Sequence, residues 1–144
     1  MDCSGEEVPL LHLLPVIHRV IKLTDAHKRY GLTKTQTVML IALYYRESVT
    51  MGELAQYISS SKEQATRAVA ALCDNGLVER FENPENRTHV YIRFTDKGRE
   101  FMRQLSKMLR AQIDERLALS LTEDELAALR QSVRTSIEIL SKVK

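Results

Sequence analysis

The chain has little of what catalytic, secreted and membrane proteins depend on. Its 144 residues include two cysteines, five glycines, three prolines and no tryptophan. Two cysteines, Cys3 and Cys73, cannot build a disulfide framework and fit a reducing compartment. With so few glycines, mostly at helix ends or turns, a phosphate-cradling loop or dinucleotide fingerprint has no place to sit. No apolar run nears the ~20 residues that span a bilayer. The acidic start MDCSGEEVP lacks the basic and apolar stretches of a secretion signal. Neither sign of charge dominates, since 21 Lys and Arg stand against 19 Asp and Glu. The net charge of +2 is short of the strongly basic balance of an obvious nucleic-acid domain, so charge placement has to decide. His12, His18, His27 and His89 stand alone. None lies three or four residues from another His or Cys, so no local metal site is suggested. No nucleophile–base motif or carboxylate constellation appears. These absences predict a cytoplasmic protein that is not an enzyme, with no cofactor, no metal and no membrane partner.

What the chain does have is apolar periodicity with capped ends. The hydrophobic fraction of 44% is enough for a globular core. From Val8 to about Tyr30, Leu11, Leu14, Ile17 and Ile21 belong to a broad stripe at helical spacing, which Gly31 ends. Pro15 sits inside that stripe and is expected to kink or restart it. Thr33-x-x-Gln36, Thr50-x-x-Glu53, Ser60-x-x-Glu63 and Thr122-x-x-Glu125 are capping boxes. Each joins two otherwise unpaired helix-start groups to side chains, so four helix starts rest on mechanism. Leu77–Phe81 and Val90–Phe94 alternate like strands around a polar tip. Thr95 suits the cap of a long helix to about Leu119, and a last helix runs to about Lys142.

The order helix, polar turn, helix, hairpin across Thr50–Gly98 is that of a winged helix-turn-helix. The predicted fold is mainly α with a small β-hairpin wing, flanked by N- and C-terminal dimerisation helices. The boundaries are 1–32 for the first dimerisation helix, 33–98 for the DNA-binding domain and 99–144 for the last two helices. The terminal stripes carry more apolar face than a small winged helix can cover, and a homodimer closes them. A two-fold protein reads two half-sites about one DNA turn apart, ~34 Å.

In the helix 61–74, Ala65, Val69, Leu72 and Cys73 face inward. Lys62, Gln64, Thr66 and Arg67 are left for DNA: Gln64 suits adenine, and Arg67 suits guanine or phosphate. Ser59, Ser60 and Ser61 at the helix start suit phosphates. Arg87 in the wing tip is placed for a minor groove, where negative potential concentrates.

The stretches LTKTQ (32–36), TMGELAQYI (50–58), TRAVAAL (66–72), NGLVER (75–80) and FTDKG (94–98) resemble the MarR family of bacterial winged-helix regulators. The resemblance implies a mostly helical dimer that represses transcription from palindromic operators. It further implies release from DNA by a small anionic or aromatic effector bound between the dimer region and the reading head. Midway along the first helix, His18 is the candidate ligand-pocket residue, with a helix-surface or interface histidine as the alternative. The family's wing usually carries Asp-x-Arg, where the acid orients the arginine; here the positions are Asn86, Arg87 and Thr88. Cys3 lies outside the first long helix, where the family's peroxide sensors hold their reactive cysteine. The expected function is a sequence-specific DNA-binding transcriptional regulator, a repressor released by an effector. Its rival is a winged-helix protein–protein adaptor that does not read DNA.

Overall fold

Three threonines start helices in the computed structural model, which describes residues 9–22, 28–58 and 60–143. Thr33 opens α2 (Lys34–Tyr44), Thr50 opens α3 (Met51–Tyr57) and Thr122 opens α6 (Glu123–Leu140). Each forms the full reciprocal box. At Thr50 the hydroxyl accepts from Glu53 N–H at 3.2 Å, and Glu53 accepts from Thr50 N–H at 2.9 Å. The remaining elements are α1 (Pro9–Val20), β1 (Val49–Thr50), α4 (Lys62–Asp74), β2 (Val78–Asn83), β3 (Asn86–Phe94) and α5 (Asp96–Ala118).

Two helix boundaries differ from expectation. The fourth box does not form at Ser60. Ser61 is the cap of α4, accepting from Gln64 N–H at 3.2 Å. The Ser60 N–H, which Glu63 would have had to engage, already donates to Ala55 O at 3.1 Å. α1 stops at Val20 and not near Tyr30. Its last carbonyls are met from outside the helix, where the Arg116 guanidinium donates to Val20 O at 3.1 Å and Arg19 O at 3.5 Å. Pro15 is accommodated inside α1, although it has no N–H to donate to the preceding turn. Residues 28–30 are helical again, and Gly31 follows at φ +68°, the left-handed conformation expected of a helix stop.

The chain divides into two units, Lys22–Leu109 and Met1–Ile21 with Arg110–Lys144. The first holds the core. Leu40, Leu43, Val49, Leu54, Val69, Leu72, Ile92 and Leu105 are buried there, each contributing roughly 1.5–3 kcal/mol of side-chain burial. Thr37 is buried with them and donates its hydroxyl to Thr33 O at 3.0 Å. In the second unit, Leu126 is the only buried residue among those described. Leu10, Leu11, Leu14, Val133 and Ile137 are exposed there.

The three strands form an antiparallel sheet in the order β1-β3-β2. Both wing strands run further than their alternation predicts, to Asn83 and from Asn86. Glu82 pairs with Val90 but Asn83 pairs with Asn86, so residues 87–89 are extra on β3. Two asparagines organise the tip: Asn83 Oδ1 accepts from Glu85 N–H at 3.0 Å, and Asn86 Oδ1 from Thr88 N–H at 3.2 Å.

Thr95 joins the sheet to α5. Its hydroxyl accepts from Gly98 N–H at 3.0 Å, as a cap, and donates to Gly76 O at 2.5 Å. Its backbone N–H donates to Leu77 O at 3.1 Å. Gly98 lies directly against this turn, and a Cβ there would sit 1.8 Å from Leu77 O.

Candidate nucleic-acid interface

Helix α4 has two unlike faces because of where its small and charged residues fall. Ala65, Val69 and Leu72 are buried, each three or four residues from the next. Lys62, Glu63, Gln64, Thr66 and Arg67 are exposed. The packing of the first set fixes which way the second set points. The helix start is also fixed, because the Ser61 cap holds the first turn.

The exposed side chains differ in how free they are. Arg67, Lys62 and the Gln64 amide have no side-chain partner among the described residues, so their donors are available to a ligand. Thr66 donates its hydroxyl to Lys62 O at 2.8 Å and retains only acceptor capacity. Ser61 is engaged as the cap, and Ser60 is half-buried with its hydroxyl donating to Ser61 O at 3.2 Å. Ser59 lies outside the described residues, as do Cys3 and His27. Glu63, expected to reach back to the cap, instead stands exposed in the first turn and adds a negative charge to this face.

In the wing, Arg87 is exposed and unpaired among the described residues. The local reason is Asn86. Its side-chain oxygen is taken by Thr88, through the backbone N–H at 3.2 Å and the hydroxyl at 2.5 Å. An acid that would steer an arginine is thus replaced by an amide that steers a threonine. His18 is exposed on α1.

Cys73 was expected on the inward face and is half-buried. Burial raises its thiol pKa, Arg80 opposes the shift and Asp74 adds to it. The net direction keeps the thiol protonated and poorly nucleophilic. Among the described residues, no group of three or more His, Cys, Asp or Glu is placed to hold a metal ion. No helix among them is long and apolar enough to cross a membrane.

A capped helix with its inner face in a core, preceded by a short helix and followed by a two-stranded wing whose sheet β1 completes, defines a winged helix-turn-helix protein. The MarR family model matches residues 32–90, the segment holding α2 to most of the wing. Over 137 residues the chain is 26% identical to the uncharacterised HTH-type transcriptional regulator YdgJ of Bacillus subtilis, covering 91% of this chain and 82% of that one. The transcriptional repressor MprA of Escherichia coli is 34% identical over 80 residues, 54% of this chain and 46% of MprA. The structure of a mutant MarR from E. coli complexed with operator DNA superposes with a TM-score of 0.65 at 24% identity, covering 95% of this chain and 99% of that one. Residues 32–90 thus match the MarR family, and over most of its length the chain is similar to winged helix-turn-helix transcriptional regulators; members of the MarR family are non-enzymatic DNA-binding proteins.

Proposed function

We propose that this regulator is a homodimeric repressor that reads a palindromic operator and is released by a small-molecule effector. The observation that carries the DNA reading is the exposed face of α4: Lys62, Gln64 and Arg67 with free donors, on a helix fixed by its cap and its buried face. Arg67 suits guanine O6 and N7, and Gln64 suits adenine N6 and N7. Ser61, whose hydroxyl proton its cap bond leaves free, and the backbone N–H groups of the first turn of α4 are assigned to phosphates, with Ser60 kept out because both its donors are engaged, and Arg87 is assigned to the minor groove beside the wing. The solved MarR bound to operator DNA and the repressor MprA support the same reading.

The dimer rests on uncovered apolar surface. Leu11 is 66% exposed, Ile137 62% and Leu119 81%, in a unit with one buried residue among those described. Helices within 1–32 and 99–144 from two chains would cover one another, leaving 33–98 as the reading head. The effector is assigned to a small anionic or aromatic class, with His18 as a candidate contact. It must bind the DNA-free arrangement more tightly than the DNA-bound one, because equal affinity shifts nothing.

The adaptor reading is favoured by one observation, that Asn86 serves Thr88 and leaves Arg87 without an orienting acid. A gel-shift titration with the DNA upstream of the protein's own gene separates the two. The repressor reading expects binding at low salt that weakens steeply as salt rises. Arg67→Ala is expected to weaken binding by roughly 1–3 kcal/mol if Arg67 reads a base. Absence of binding at any salt would favour the adaptor.

A further inference from the structure

We propose that a cleft distinct from the DNA-reading face binds a small planar ring carrying phosphate, the chemistry of a nucleotide. The cleft has a volume of about 740 Å³ and lies between the end of α2, the wing sheet and the first turns of α5. Arg46, Arg93, Arg99 and Arg103 line it, with Glu47 as the one acid lining it among the described residues. These arginines come from three places in the chain, the end of α2, β3 and one face of α5, and only the fold brings them together.

The ion pairs of these arginines position them without filling the cleft. Arg93 pairs with Glu79 at 2.7 Å, Arg103 with Glu100 at 2.8 Å, and Arg99 with Asp96. None of the three carboxylates is among the lining residues. All three pairs are solvent-exposed, and pairs of that kind hold weakly enough for an incoming anion to compete. Each guanidinium also has five N–H donors, of which these contacts use one or two. Arg46 uses one donor on the Tyr57 hydroxyl at 2.9 Å.

The number of cations selects the anion. One carboxylate is matched by one guanidinium in a bidentate pair. A phosphate presents three acceptor oxygens and a charge of about −1.5 to −2, which suits several guanidiniums at once. The aromatic residues select the rest of the ligand. Tyr44, Tyr45 and Phe81 line the same cleft. Arg93 lies 4.3 Å from the Phe81 ring centre, and Tyr44 meets Tyr45 edge-to-face at 5.3 Å. Tyr45 is 79% exposed, so its ring is open to stack on a base. The volume lies within the usual range of small-molecule sites, roughly 300–1,000 Å³, with room for a ring beside the phosphate.

The test is calorimetric titration of the full-length protein, without DNA, using ADP, inorganic phosphate and benzoate as separate probes. Saturable ADP binding is expected, with phosphate and benzoate each weaker by roughly tenfold or more. The double variant Arg93→Gln, Arg103→Gln is expected to lose ADP binding by a similar factor while keeping the wild-type unfolding midpoint and operator affinity. Tyr45→Ala is expected to weaken ADP and leave phosphate unchanged. Failure of ADP to saturate at millimolar concentration overturns the proposal. So does benzoate binding as tightly as ADP, or displacement of ADP by a single-stranded oligonucleotide at lower concentration than by free nucleotide. Because no operator is present, failure here leaves the DNA-reading proposal standing.

Discussion

Gly98→Ala reverses the sign that helix propensity predicts. Gly98 is the third residue of α5, and glycine to alanine in a helix is ordinarily favourable by up to about 1 kcal/mol. Here the new Cβ would lie 1.8 Å from Leu77 O and 2.7 Å from Leu77 C, both backbone atoms that no rotamer change can move. The start of α5 must therefore separate from the turn after α4. That movement breaks the bonds from Thr95 to Leu77 O and Gly76 O, each worth about 1 kcal/mol net. It also loosens Phe94, whose ring carbon already sits 3.0 Å from the Cβ position. Loss of packing adds about 1–2 kcal/mol, so the net cost is roughly 2–3 kcal/mol after the propensity gain. Urea unfolding followed by circular dichroism, at fixed protein concentration, reads this directly. Gly52→Ala is the control, because its Cβ meets only Thr50 Oγ at 3.9 Å and should stabilise by a few tenths of a kcal/mol. A Gly98→Ala protein as stable as wild type would refute the close-approach argument.

Ser61→Ala should cost about 1 kcal/mol through loss of the α4 cap, whereas Ser60→Ala should cost a few tenths at most; equal losses in urea unfolding would contradict the assignment. In a Cys3→Ser background, alkylation of Cys73 should reach half its maximal rate at higher pH in the folded protein than in urea. The folded state holds the thiol proton more tightly, so this contribution to stability is present below the unfolded thiol's pKa and lost as pH rises through the folded one. A folded midpoint at or below the unfolded one would contradict that direction. Arg87→Ala should weaken operator binding most on duplexes whose minor groove beside the half-site is narrow, as expected of an arginine held by groove potential; unchanged affinity on such duplexes would remove it from the interface.

The parts of the fold visible in the sequence were those written in local chemistry. Thr33, Thr50 and Thr122 announce their helices because a capping box needs only two side chains three residues apart. Ser60 and Ser61 defeat the same logic, since adjacent serines are equally able caps and the choice between them falls to Ala55 O, on the previous helix. The stripe from Leu11 to Ile21 records which face is apolar but not where the helix stops, because Arg116 is 96 residues from Val20. The wing strands outrun their alternation because backbone pairing and asparagine turns at 83–88 leave no side-chain period. On α4, inward Ala65, Val69 and Leu72 were legible from spacing, and the exposed Gln64 and Arg67 followed from them. The arginine-lined cleft has no local signal, because its residues come from 44–48, 81, 93–94 and 99–103.

The central claim is that α4 reads bases, and the most direct measurement compares wild type with Arg67→Ala on the operator and on a scrambled duplex across a salt series. The account predicts that wild type prefers the operator by at least roughly 10³-fold, with affinity falling linearly in log salt. It further predicts that Arg67→Ala loses much of that preference while still binding the scrambled duplex. Equal wild-type affinity for both duplexes, or no binding even at the lowest salt, would contradict it.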